Sequence, residues 1–200
     1  MTSSWVWLAL AAAILWLPLA STLLIRKHKS SRRLSYAPSA RGLLVYWPNW
    51  VDLIRCLLAM ALLVGWGDAL REEDPSSGKI VLGFTVVVVV VGYLLQAMLV
   101  ATRRTFFVAL PISIATAIVI PEPEVGLFAI IVSFLFAVVS KKLDLLIPIL
   151  SGVLAVGGAV LGANRLDLVA AVFLVFFPQL LAVVFARQAI LPSNVVLSPQ

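Results

Sequence analysis

Residues 80–101 run for 22 positions without a single charged side chain. At about 1.5 Å per residue a helix of that length covers the roughly 30 Å of a bilayer's hydrocarbon core. Its centre, Val86–Val91, is six consecutive valines. A β-branched run makes a poor helix in water. In lipid the backbone has to satisfy its own hydrogen bonds, and helix is then the conformation open to it. A membrane β-barrel strand would alternate polar and apolar residues, which this run does not.

The run is one of several. Apolar stretches fall at about 5–25, 50–66, 80–101, 105–120, 125–140, 145–162 and 168–186. The 200 residues are 62% hydrophobic and only 12% charged, against about 45–50% and about 25% for a soluble domain. The stretches therefore predict an all-α fold: a single domain over 1–200, a bundle of about seven transmembrane helices. The fourth and fifth stretches are short, so they stand upright in thin bilayer or form a re-entrant pair. The polar segments at 26–42 and 67–79 cannot build a core of their own. Any site has to come from helix interiors or helix ends.

Charge orders the loops. Eleven of the fifteen Lys and Arg residues, including Arg26, Lys27, Lys29, Arg32, Arg33, Arg41, Arg103, Arg104, Lys141, Lys142 and Arg187, fall in alternate loops. The intervening loops hold Arg71, Lys79 and Arg165 together with seven of the nine acids. Under the positive-inside rule the amino terminus is outside and the carboxyl terminus cytoplasmic, in a plasma (inner) membrane. No basic residue precedes the first apolar run, so that run reads as a retained helix rather than a secretory signal. The net charge of +6 is a product of this layout, and no nucleic-acid partner is expected. Arg26–Arg41 serves as a topology anchor or as a contact for anionic lipid headgroups.

Catalytic and metal chemistry have little to work with. The chain has one His, His28, and one Cys, Cys56, far from the four-ligand spacing zinc requires. No cofactor or metal is expected. One constellation stands out at the start of the second stretch: Pro48, Asn49, Asp52 and Arg55. Asn49, Asp52 and Arg55 recur every three residues and share roughly one helix face, where Asp52 and Arg55 can pair. An ionisable pair about 7–8 Å below Trp50 is a site candidate by default. The competing reading has Arg55 snorkelling to the headgroups and Asp52 serving the helix dipole. Pro48-Asn49-x-x-Asp52-x-x-Arg55 resembles, over eight residues, the opening of the CDP-alcohol phosphatidyltransferases. That family's metal-binding D-x-x-D-G-x-x-A-R is absent from the chain, so no metal site or activity is carried over.

The remaining polar residues within the stretches are neutral: Thr85, Gln96, Ser113, Thr116, Ser133, Ser151 and Gln179. The two glutamines are expected to hydrogen-bond across helices. Pro111, Pro148 and Pro178 interrupt three stretches and permit kinks. Ser151, Ala155, Gly158, Ala159 and Gly162 form a small-residue face suited to close helix packing. Asp144 and Asp167 are expected to cap the helices that follow them. The expected function is a non-catalytic subunit assembling with itself or with other membrane proteins. A carrier for a small or lipidic solute and an enzyme acting on lipid headgroups through Asn49, Asp52 and Arg55 are the alternatives.

Overall fold

The computed structural model describes residues 2–17, 47–100, 105–107, 110–140, 145–184 and 188–190. The fold is all-α. Seven α-helices lie among these residues: α1 (Thr2–Trp16), α2 (Trp47–Glu73), α3 (Gly78–Val100), α4 (Leu110–Val119), α5 (Pro123–Ser140), α6 (Leu146–Leu161) and α7 (Arg165–Val184). Two three-residue strands, β1 (Thr105–Phe107) and β2 (Gln188–Ile190), pair in parallel with Thr105 opposite Gln188. Three helical stretches are long and apolar enough to cross a membrane: Trp50–Glu73, Gly78–Leu95 and Pro123–Ser140. Helices α4 and α6 are apolar but shorter, as is Trp5–Trp16 of α1.

The stretch at 105–120 is not one helix. It opens as the strand β1, and among its described residues Leu110–Val119 is the helical part. Ten helical residues rise about 15 Å. Pro111 fixes the start, because a residue without an amide proton belongs in a first turn. Pro148, third in α6, occupies the same kind of position. Pro178 alone among the three prolines lies inside a helix.

Consecutive helices alternate in direction. Trp5 of α1, Trp66 of α2 and Phe84 of α3 meet at one end, with ring centroids 5.8–5.9 Å apart. Ile120, just past α4, and Asp167, in the first turn of α7, border a cavity at this same Trp66 end. A cleft runs along α4 and α5 from Ile118 and Leu127 to Leu110 and Leu135, and at this far end Trp50 at the start of α2 and Leu146 at the start of α6 join its lining.

Burial follows helical spacing. On α2 it runs Asp52, Arg55, Cys56, Ala59, Met60, Leu63 and Trp66, a stripe of steps of three and four. Ala11, Ala12 and Leu15 of α1 join this cluster with Val88, Val89 and Tyr93 of α3. A second cluster draws on α4 to α7, including Ala117, Ala129, Leu150, Leu154 and Ala171. Ile120 and Phe177 pack against both. Helix α4 is central: seven of its ten residues are buried, and it touches α2, α5, α6 and α7.

Two close approaches fix the packing. A Cβ added at Gly126 would stand 2.1 Å from the Ala117 carbonyl oxygen and 2.7 Å from the Ile118 Cα. Both obstacles are backbone, so α4 and α5 would have to part. At Gly158 the obstacle is the Leu168 side chain, 2.3 Å away. Gly126→Ala is expected to cost about 1–3 kcal/mol through overpacking. Gly83→Ala, where an added Cβ meets nothing within 4 Å, should be neutral or mildly stabilising. Thermal unfolding in a mild detergent reads the contrast, and equal midpoints for the two variants would contradict the packing.

Between α2 and α3 the chain reverses through a single 3-10 turn, Pro75–Ser77. The Asp74 carboxylate caps it, accepting from the Ser76 amide at 2.9 Å and from the Ser76 hydroxyl at 2.8 Å. The Ser76 hydroxyl bond and then the amide bond favour the ionised form, so the Asp74 carboxyl titrates below its ordinary value. A carboxyl depressed in the folded state stabilises the turn above its unfolded value, about 3.9, and the effect is lost as pH falls through the folded value. In an NMR titration, Ser76→Ala is expected to return Asp74 toward the ordinary range. An unchanged titration would sink this account of the turn.

Candidate functional site

Arg55 and Asp52 are brought together as their spacing implies, but they face inward. Arg55 is 8% exposed and Asp52 4%. Arg55 Nε donates to Asp52 Oδ1 at 2.6 Å. Its Nη1 donates to the Ile14 carbonyl and, at 3.0 Å, to the Leu15 carbonyl. Its Nη2 lies 3.6 Å from Cys56 Sγ. Ile14 and Leu15 belong to the last turn of α1, where carbonyls have no partner within the helix. A guanidinium offers five donors in a rigid fork and a full positive charge to a helix end that carries partial negative charge. Arg55 is thus a C-terminal cap supplied by a neighbouring helix, and it does not snorkel. Trp16 adds a second tie, donating from Nε1 to the Val88 carbonyl of α3 at 3.0 Å. The side chain of Asn49 lies outside the described residues, as does the Arg26–Arg41 segment with its expected headgroup contact.

Chemically this arrangement holds α1 against α2 and commits four of the five Arg55 donors. Removing the cation takes the countercharge from the buried Asp52 carboxylate and uncaps α1. Arg55→Met is expected to cost about 3–5 kcal/mol. The double variant Asp52→Leu/Arg55→Met should cost less than Arg55→Met alone, since no unpaired buried charge remains. Unfolding midpoints in detergent decide it; a double variant worse than the single would mean that the pair does more than neutralise itself.

The expected small-residue face is divided by the bundle. Ser151 and Gly158 are buried, Ala155 is half-buried, and Ala159 and Gly162 are exposed. Steps of four drift around a 3.6-residue helix, so the five residues cannot all face one neighbour. Gly158 is where Leu168 of α7 approaches. Gly162 plays a different part. At φ 79° it ends α6 in the left-handed conformation that glycine adopts without strain. On the outward side of α6, Gly152, Val153, Val156, Gly157 and Val160 form with Phe128 of α5 a cavity of about 580 Å³. A Cβ added at Gly152 meets nothing.

The neutral polar residues stay largely within their own or the next helix. Tyr93 and Ser113 share a hydroxyl hydrogen bond of 2.8 Å between α3 and α4. Ser133 donates to the Ala129 carbonyl and Ser151 to the Pro148 carbonyl. Thr116 is fully buried without a partner for its hydroxyl. Gln179 makes no hydrogen bond among the described residues, contrary to expectation, and the side chain of Gln96 lies outside them. The cleft of about 430 Å³ at the Trp50 end is walled by apolar groups such as Leu53, Pro111, Ile114 and Phe134.

At the other end Trp66 is fully buried rather than displayed at an interface. Here α2, α3, α4 and α7 enclose a cavity of about 120 Å³. Asp68, Arg71 and Asp167 border it with Thr85 and apolar neighbours. Asp68 and Arg71 stand 3.6 Å apart on α2. Asp167 is not the cap of α7: Asn164 is, accepting from the Leu166 amide at 3.0 Å. The other expected cap, Asp144, lies outside the described residues. Sequence reasoning missed this grouping, since its members are scattered over 100 residues of chain. Asn164, two places before Leu166, was the available sign that Asp167 was not needed as a cap. Among the described residues, no group of three or more His, Cys, Asp or Glu is placed to hold a metal ion.

Comparison with family models, with curated proteins and with solved structures returns no match. The eight-residue likeness around Pro48 stands without a matching family model.

Proposed function

We propose that the chain is a non-catalytic, multi-pass protein of a plasma membrane and a subunit of a homo- or hetero-oligomeric membrane assembly. In this reading it crosses about seven times, with the amino terminus outside and the carboxyl terminus cytoplasmic. The alternation of the helices supports the layout: the acids Asp68 and Asp167 both border the cavity at the Trp66 end, the end that positive-inside orientation puts outside. The outward faces are apolar. Ile54, Val139, Val160 and Val169 are each at least 66% exposed, an arrangement suited to lipid or to a partner helix rather than to water.

The observation that carries the assembly reading is the outward groove of α5 and α6. Among the described residues, Gly152 has no neighbour within 4 Å of an added Cβ that requires it to be glycine. Glycine on an outward helix face lets a second helix backbone approach closely, which is how helices associate in lipid. The non-catalytic reading rests on Arg55, four of whose five donors are committed to Asp52, Cys56 and the α1 carbonyls.

Blue-native electrophoresis in mild detergent is expected to show a species larger than the 21.6 kDa monomer, and Gly152→Leu to reduce it. A lone monomer at every concentration overturns the assembly reading. Compartment-sensitive reporters at the two termini should respond on opposite sides of the membrane, and response on the same side overturns the layout.

A further inference from the structure

The cavity at the Trp66 end has a polarity that the packing of the bundle does not explain. Its mouth is charged: Asp68 and Arg71 from α2, and Asp167 from α7. Its interior is apolar, with Leu63, Val81 and Val119 among the walls. Thr85 is the exception. It is the deepest of the lining residues on α3, seven places along from Gly78, or about 10 Å by helical rise. Thr85 is 9% exposed, and its hydroxyl has no hydrogen-bond partner among the described residues. Its oxygen is not among the polar atoms sealed off without a partner, so the cavity reaches it. Here the cavity it borders is the space left to it.

The mouth has a matching surplus. Asp68 and Arg71 offset one another at 3.6 Å. Asp167 is half-buried and forms no ion pair or hydrogen bond among the described residues. Because Asn164 caps α7, the Asp167 side chain is not consumed by its own helix. The lining therefore carries a net charge of about −1 at neutral pH, with the unmatched carboxylate at the mouth and the unmatched hydroxyl at depth.

We propose that this cavity binds a short amino alcohol. The ammonium group sits at the mouth against Asp167, the hydroxyl exchanges a hydrogen bond with Thr85, and the connecting methylenes lie on the apolar walls. Size restricts the ligand further. About 120 Å³ is well below the roughly 300–1,000 Å³ of sites for drug-sized molecules, so the ligand has only a few heavy atoms. A site whose polar groups are left unpaired by an analogue lacking the hydroxyl discriminates strongly against it. The proposal is independent of the assembly reading, since all lining residues come from one chain.

The test is calorimetric titration of the full-length protein in detergent micelles, with ethanolamine and ethylammonium as probes. Ethanolamine is expected to bind saturably and roughly tenfold more tightly than ethylammonium. Thr85→Val should abolish that preference while leaving ethylammonium binding as it was. Asp167→Asn should weaken both probes by roughly tenfold. Should Asp167→Asn lower the melting temperature of the unliganded protein, Asp68→Asn reads the same requirement for negative charge. No saturable binding of ethanolamine at millimolar concentration overturns the proposal. So does an intact preference in Thr85→Val, or undiminished binding in both carboxylate variants.

Discussion

The guanidinium of Arg55 closes the end of α1. Every helix leaves its last carbonyls without partners inside the helix. In water that costs little. Where the end is buried against other helices, the carbonyls need a donor from elsewhere. Arg55 supplies it, with Asp52 neutralising the charge at 2.6 Å. The pair therefore determines where α1 stops, which face of α2 it lies on, and how near α3 comes through Trp16. An ion pair that on its own would be an expensive thing to bury becomes tolerable because its hydrogen bonds are also those of a helix terminus.

Around this joint the helices are organised by α4, which is too short to reach far and too buried to face outward. Its small residues admit neighbours on several sides. Gly126 brings α5 against its backbone, and Ser113 meets Tyr93 of α3. A central element of this kind leaves few polar groups free inside the bundle. Thr116 is one of them, and the cleft beside α4 is walled by hydrocarbon. Polar groups are thus pushed to the ends of the helices, and the charged cavity at the Trp66 end is where those of three helices, α2, α3 and α7, converge.

The outward surface carries long apolar side chains on most of its faces and glycines in one groove. Long apolar side chains such as Val139 and Val169 fit fluid lipid. The Gly152 groove is shaped differently: it is concave, with Gly152 and Gly157 leaving room between the outward valines of α6. In lipid there is no hydrophobic gain from merely touching another helix, so association depends on close backbone approach. On the assembly reading proposed above, this groove is the surface at which a second helix backbone would approach.

Much of this was legible in the residues. Uninterrupted apolar runs determined helix, because an unpaired backbone has nowhere to go in hydrocarbon. The Asp52–Arg55 pairing followed from a spacing of three. What the residues did not reveal was direction and destination. A helix face is periodic, but periodicity does not say which neighbour it meets, so Ser151, Ala155, Gly158, Ala159 and Gly162 read as one face and are divided between the interior and the surface. Proline marks a break without saying whether it lies inside a helix or at its start, which separates Pro178 from Pro111 and Pro148. Sequence alone determined that the chain is helical and apolar. Only the tertiary structure decided that Arg55 serves α1, that α4 is the hub, and that Thr85 and Asp167 border one cavity, because contacts between residues far apart in the chain are created by packing and have no local signature.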